Sequence, residues 1–291
     1  MDVAETLAPE HVSPASGHWQ ARLLLRFSDD NGVTRLTDRS HVGPLRVQKP
    51  LYPEGADVCH AIIVHPPGGV VGGDELTVEA HVQMAAHALV TTPGAAKWYK
   101  ANGKVSTQTI HIQVDADAGM EWLPQETIFF DAADVQLMQS ISLAKGARYI
   151  SAEILCFGRI ASGETFSTGK IAQHTVIRRE GKLIWFEQGA LAGGSAAMNS
   201  ALGLNGNSVS ATLIAAGGTV PTTVINALRA DADLVLNGAG SFGVTQLHGL
   251  VVVRYLGNAS ETARALMLLA WRHLRIEVMG RDAVELRIWN T

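Results

Sequence analysis

The sequence predicts a mainly β protein: a single large domain of stacked or solenoid-like β-sheets, with a few α-helices confined to the C-terminal half. Three observations predict it. Short β-branched or apolar segments recur along the chain, bounded by glycine, asparagine, aspartate or proline. Two dipeptides, Asn31-Gly32 and Glu180-Gly181, have the residues of tight hairpin turns. Helical periodicity is confined to two late segments.

Taken in order, the predicted strands are Arg22 to Phe27, Val58 to Val64, Leu76 to Val82, Val105 to Val114, Gln136 to Leu143, Tyr149 to Phe157, Lys170 to Arg178, Leu183 to Glu187 and Leu247 to Tyr255. Each is rich in the side chains that pack well on a pleated surface. A helix is predicted over Ala259 to Leu274, where Ala263, Leu266, Met267, Ala270 and Leu274 share one face. Ser260 is its expected N-cap, and Arg272, His273 and Arg275 suit its negative end. A second helix is expected from Thr222 to about Ala230.

Residues 1–16 are polar, carry Pro9 and Pro14 and lack periodicity, so a flexible tail is expected there, with the β-rich domain spanning 17–291. No linker composition divides the interior and no clear internal repeat is legible. Glycine-rich stretches at 189–207 and 237–243 suit adaptable surface or tight turns.

Charged residues make up 17% of the chain, below the usual ~25%, so the isolated chain is expected to be poorly soluble and to bury surface against partners. A net charge of −4 without a basic cluster gives nucleic acid no electrostatic footprint. The N-terminus, Met1-Asp2-Val3-Ala4-Glu5, lacks a signal-peptide pattern, and no apolar run reaches the ~20 residues that span a bilayer, so a soluble cytoplasmic protein off the membrane is expected. Two cysteines, Cys59 and Cys156, sit in apolar surroundings and are expected to be buried thiols.

The most distinctive segment is His65-Pro66-Pro67-Gly68-Gly69-Val70-Val71-Gly72-Gly73-Asp74. It lies between two predicted strands, and its prolines and glycines shape an unusual main-chain path. A phosphate cradle is disfavoured, because no Gly-Lys-Ser/Thr follows and the next segment alternates with period two instead of opening a helix. On residue types alone it is a tight structural loop.

Catalytic signatures are missing from the sequence. No Gly-x-Ser-x-Gly elbow occurs, and isolated serines such as Ser195 and Ser241 make no triad. Asp74, Glu126, Asp131 or Glu164 could supply a carboxylate pair, but spacing in sequence cannot place two of them within the ~5–9.5 Å that glycoside hydrolysis needs. No tight metal motif is present either. Cys59 and His65 would share one strand face some ~20 Å apart while His60 points the other way, so these three cannot chelate one ion together.

Several blocks in the same order resemble the family of urease accessory proteins UreD, also called UreH. They are Gly43 to Gly55, the His65 to Asp74 run, Thr91 to Tyr99, Leu123 to Asp131, Phe157-Gly158-Arg159 with Gly163-Glu164, and Arg287-Ile288-Trp289-Asn290-Thr291. The likeness covers about residues 20 to 291. It departs from the family where a proline commonly follows the residue matching Arg275 and precedes the one matching Arg287; here those places hold Ile276 and Leu286. The resemblance implies a nickel-insertion chaperone with no catalytic step, docking on the urease structural subunits with two accessory partners, UreF and the GTPase UreG. It also implies an internal passage for nickel in transit, with no tightly bound cofactor. His65, Asp74, Glu126, Asp131 and Glu164, which stand in the matching blocks, are the expected polar lining. Weak oxygen and nitrogen donors suit such transfer, since a tight site would trap the ion. A β-rich hydrolase with a carboxylate pair and a plain protein-interaction module remain the alternative classes.

Overall fold

A computed structural model describes residues 18–290; the expected N-terminal tail lies outside the described residues. The strands are β1 (Gln20–Asp30), β2 (Val33–Val42), β3 (Arg46–Val47), β4 (Val58–Val64), β5 (Glu75–Val82), β6 (His87–Thr91), β7 (Ala96–Trp98), β8 (Ser106–Val114), β9 (Gly119–Leu123), β10 (Thr127–Phe129), β11 (Asp134–Leu143), β12 (Arg148–Phe157), β13 (Lys170–Arg179), β14 (Lys182–Ala192), β15 (Val209–Ala216), β16 (Ser241–Leu247) and β17 (Leu250–Gly257). The α-helices are α1 (Ala196–Asn199), α2 (Thr222–Leu236) and α3 (Ser260–Met279).

Two sheets face one another. The first has the order β14-β13-β11-β8-β5-β1-β2, and the second runs β16-β17-β15-β12-β9-β6-β4-β3, with β10 joining β12 to β7. From β4 to β13 the long strands alternate between the sheets, and successive strands within each sheet pair in parallel, the winding of a β-solenoid. Antiparallel hairpins close the stack. Asn31-Gly32 and Glu180-Gly181 both take positive φ, as a type I′ turn requires, and they join β1 to β2 and β13 to β14 as expected.

Alternation along the strands fills the space between the sheets. Leu23, Leu25 and Phe27 of β1, Val78 and Ala80 of β5, and Ile110 and Ile112 of β8 pack towards Ala61, Val90 and Met120 of the second sheet. The second sheet is also covered on its far side by α2 and α3, where Leu89, Leu123 and Ile150 meet Leu228, Leu266 and Trp271. Being buried on both faces, β6 and β9 show no alternation. That explains why sequence periodicity passes over them.

The structure contains a repeat that the sequence does not display. Gln83–Ala86, Asp115–Ala118 and Ala144–Ala147 form equivalent turns, each closed by the alanine N–H donating to the first residue's carbonyl at 3.1–3.2 Å. The third residue takes positive φ each time, yet it is Ala85, Asp117 and Gly146 in turn. The turns stack, with the Gly119 N–H on the Ala86 carbonyl and the Arg148 N–H on the Ala118 carbonyl, both at 2.9 Å. At the other end of each coil stand the long loops 65–74, 92–105, 124–133 and 158–169.

Both helices run further than their periodicity indicated. Asn237, with positive φ, ends α2, and Gly280 ends α3 beyond Ile276, where a helix-breaking proline is absent. The N-cap position of α3 is Ala259 and not Ser260, and it makes no side-chain cap. Leu247 belongs to β16, separated from β17 by a turn at Gly249, whose φ is positive. Cys59 and Cys156 are buried free thiols, and desolvation pushes Cys156 up to about 12.

A buried ionic cluster fastens α3 to the second sheet. Arg275, fully buried, donates to Glu121 at 2.9–3.1 Å and to Glu54 at 2.7 Å. Glu121 also accepts from Trp271 Nε1 at 2.6 Å and meets His87 at 2.8 Å, while Glu54 meets His60 at 2.6 Å. Every buried charge in the cluster has a partner, which is the condition for keeping it ionised away from water.

Candidate functional site

The four long loops are laced together in chain order. Within the first, Gly68 and Gly73 take positive φ, and the Asp74 carboxylate accepts the N–H groups of Trp19 at 2.8 Å and Val71 at 3.0 Å. The loop then lies flat on the second: Val70 donates to the Lys97 carbonyl, and Tyr99 donates to the Val70 carbonyl, both at 2.8 Å. Such contact needs glycine. A Cβ on Gly72 would stand 1.7 Å from the Ala101 carbonyl oxygen, and one on Gly69 would stand 2.1 Å from the Tyr99 ring. Gly72→Ala is therefore expected to destabilise the protein by about 1–3 kcal/mol, as overpacking does. Gly94→Ala, with open space around it, is the neutral control in thermal unfolding. Equal behaviour of the two variants would refute this role for the loop.

The second loop binds the third. Gln125 receives a hydrogen-bond partner at each end: its N–H donates to Thr92 Oγ1 at 3.0 Å and its side-chain amide to the Pro93 carbonyl at 2.9 Å. Asp131 then ties the third loop to the fourth, accepting the N–H groups of Ser167 and Thr168, each at 2.8 Å. Those donors, Thr168 first, hold its carboxyl below the usual range. Trp289 reaches the same end, donating to Thr91 Oγ1 at 2.8 Å.

Beneath the loops a cavity of about 350 Å³ opens between the sheets. Apolar walls come from Leu76, Val78, Ile110 and Trp122, and polar groups from His65, Gln108, Gln125 and Glu153. Burial lowers the His65 pKa, an effect partly opposed by the nearby Asp74 carboxylate.

At its deep end the cavity meets a second space of about 20 Å³, sharing Trp122, Gln139, Ala152 and Glu153 and continuing to Gln173, Thr175, Thr212 and Glu187. That volume holds about one water molecule. Glu153 stands at the junction. Its two carboxylate oxygens accept separately from the side-chain amides of Gln139, at 3.1 Å, and Gln173. Burial pushes its pKa up to about 7; Gln173 opposes the rise and Glu187 adds to it. At the outer side Arg254 donates to Thr212 Oγ1 at 2.9 Å and to Glu187 at 2.8 Å, joining the two sheets across the seam between β14 and β17. A polar transect thus crosses an otherwise apolar interior, from the loop end to the lateral seam.

Of the residues expected to line a passage, the structure brings His65 to the cavity and sets the four carboxylates elsewhere. Asp74 and Asp131 hold loops, as described. Glu126 is buried in an ion pair with Arg264 of α3, and Glu164 pairs at the surface with Arg159 at 2.7 Å. Sequence reading missed Gln139, Glu153, Gln173, Glu187 and Arg254. Their signal was available: each stands at an inward position of a strand whose neighbours two residues away include core apolar side chains. Among the described residues no group of three or more His, Cys, Asp and Glu is placed to hold a metal ion.

Among the described residues no helix is long and apolar enough to cross a membrane. The family model described as UreD urease accessory protein matches residues 20–290. A urease accessory protein UreD of Janthinobacterium sp. (strain Marseille) is 60% identical over 272 residues, covering 94% of this chain and 92% of its own. Its counterpart in Nitrosospira multiformis is 50% identical, over 94% and 98% of the two chains, and that of Methylobacillus flagellatus is 46% identical over 95% and 96%. The blocks that lace the four loops together are those that carried the resemblance in sequence, and this chain belongs to the UreD family of urease accessory proteins.

Proposed function

We propose that this chain is a cytoplasmic scaffold for nickel insertion into apo-urease, and that Ni²⁺ passes through it between the loop end and the β14–β17 seam. It docks on the urease structural subunits together with UreF and the GTPase UreG, and performs no catalytic step itself. Membership of the urease accessory family supports the role in maturation. The observation that carries the passage is the transect itself: a 350 Å³ cavity leading through the Gln139–Glu153 junction to Glu187. A cation on this route meets His65, then single carboxylates and amide oxygens. Each holds it weakly enough to let it go. Asp74 and Asp131 serve the route indirectly, by fixing the loops that roof it. Leu183 and Phe186, both more than half exposed on the edge strand β14, offer a partner an apolar landing beside the seam.

The test is made in cells carrying the complete urease operon. Deleting this gene is expected to leave abundant, nickel-poor, inactive urease, and restoring it to return both metal and activity. Ser151→Phe, which places a ring at the narrow junction, is expected to resemble the deletion although the accessory complex still assembles. Gln139→Leu, a milder change in the same place, is expected to give partial activation. Full nickel loading of urease with both variants would exclude the passage.

A further inference from the structure

We propose that Arg254 is the charge gate of the lateral mouth, a reading that rests on the passage proposed above. On the face of β17 that turns towards the first sheet, Leu250 and Val252 join the core between the sheets and Arg254 follows two residues later, the single charged residue of the strand. Its two donors go to Thr212 and Glu187, and both of these line the narrow space that continues from Glu153. It also lies 5.9 Å from the ring centroid of Trp185 on β14. Arg254 therefore spans the seam directly over the outer end of the transect.

A positive group fixed at the end of a cation route opposes passage, as arginines do in pores that exclude cations. At the same time it occupies the Glu187 oxygen that a departing cation would use next. The pair is built to open. Arg254 is 44% and Glu187 27% exposed in their side chains, so water can solvate the guanidinium when it swings outward, and a pair this exposed contributes little to holding the fold. When the gate is closed, the space behind it admits about one water. Opening releases the Glu187 carboxylate to the cation and removes the repulsive charge in one motion.

A structural ion pair and a gate respond differently to loss of each partner. Removing either side of a structural pair produces similar defects. Removing the two sides of a gate has opposite effects, since Arg254 repels the cation and Glu187 attracts it. The experiment uses the purified complex of this chain with its accessory partners and apo-urease, supplied with limiting Ni²⁺ and bicarbonate, and follows urease activation and the metal content of recovered urease. Arg254→Gln is expected to accelerate nickel loading by about tenfold, the lower end of what charged clefts do to the rates of ions. It is also expected to let Zn²⁺ and Co²⁺ into urease under competition. Arg254→Lys, which keeps the charge, stays close to the parent rate, and Glu187→Gln falls below it. Effects of the same sign for Arg254→Gln and Glu187→Gln, or an unchanged rate and metal selectivity for Arg254→Gln, would overturn the gate. If Ser151→Phe blocks loading while Arg254→Gln changes nothing, the gate alone fails; if Ser151→Phe has no effect, the passage fails with it.

Discussion

Arg275→Met is expected to destabilise the protein by about 3–5 kcal/mol at neutral pH, the usual consequence of removing one partner from a buried ion pair. The substitution keeps the aliphatic stem and removes the guanidinium, whose carbon lies 4.9 Å from the centroid of the Trp271 ring. What it removes is the cation that faces two carboxylates, Glu121 and Glu54, of which the first is fully buried and the second 4% exposed. Burial alone would raise both pKa values. In Glu54 the hydrogen bonds from His60 and Arg275 outweigh it and bring the group down to about 2, and in Glu121 His87 and Arg275 also win. Carboxylates depressed in this way stabilise the fold above the ordinary value of 4.5, and that contribution disappears as pH falls through the folded-state pKa. The defect of Arg275→Met should accordingly shrink as the solution is acidified from pH 7 towards 4, where the unpaired carboxylates can protonate. Denaturant unfolding at several pH values measures this. A loss below about 1 kcal/mol at pH 7 would place the cluster among ordinary surface pairs.

Glu153→Gln is expected to do the opposite to stability and to harm function. Its folded-state pKa is raised to about 7 from an ordinary 4.5, so the native state holds a proton that the unfolded chain has released between those values. The carboxylate therefore lowers stability increasingly as pH rises from 4.5 through 7, by up to about 3 kcal/mol above pH 7, at 1.36 kcal/mol for each pH unit. Glutamine carries no such burden. The variant should be more stable than its parent at pH 8, with the difference fading as pH falls towards 4.5. Urease activation at limiting nickel should drop several-fold in the same variant, because an amide offers the cation no charge. Such opposition between stability and activity is expected where a buried group is kept for its chemistry. If Glu153→Gln is neutral in both measurements, Glu153 is an ordinary core polar group.

Much of this architecture was legible in the chain. Arg22 to Phe27, Leu76 to Val82 and Tyr149 to Phe157 revealed their strands through alternation or β-branched content, and the two hairpins through residues that tolerate positive φ. What escaped did so for identifiable reasons. β6 and β9 are covered on both faces and lose the period of two. The stacked turns at Ala86, Ala118 and Ala147 leave almost no common residue pattern, because alanine, aspartate and glycine fill the same left-handed position. The loop blocks could be recognised, but their purpose could not: Asp74 and Asp131 read equally well as ligands, and only their backbone partners identify them as clamps.

By itself the sequence determined the family, the β character and the two hairpin turns, since each depends on residues close together in the chain. Tertiary structure alone decided that the family blocks gather at one end of a solenoid, that Gln139 and Glu153 meet in its interior, and that Glu187 and Arg254 pair at its lateral seam. The physical reason is register. Pairings such as β1 with β5 and β15 with β17 join distant residues, and while alternation can mark a polar side chain as inward, only the register says which residues of other strands it meets.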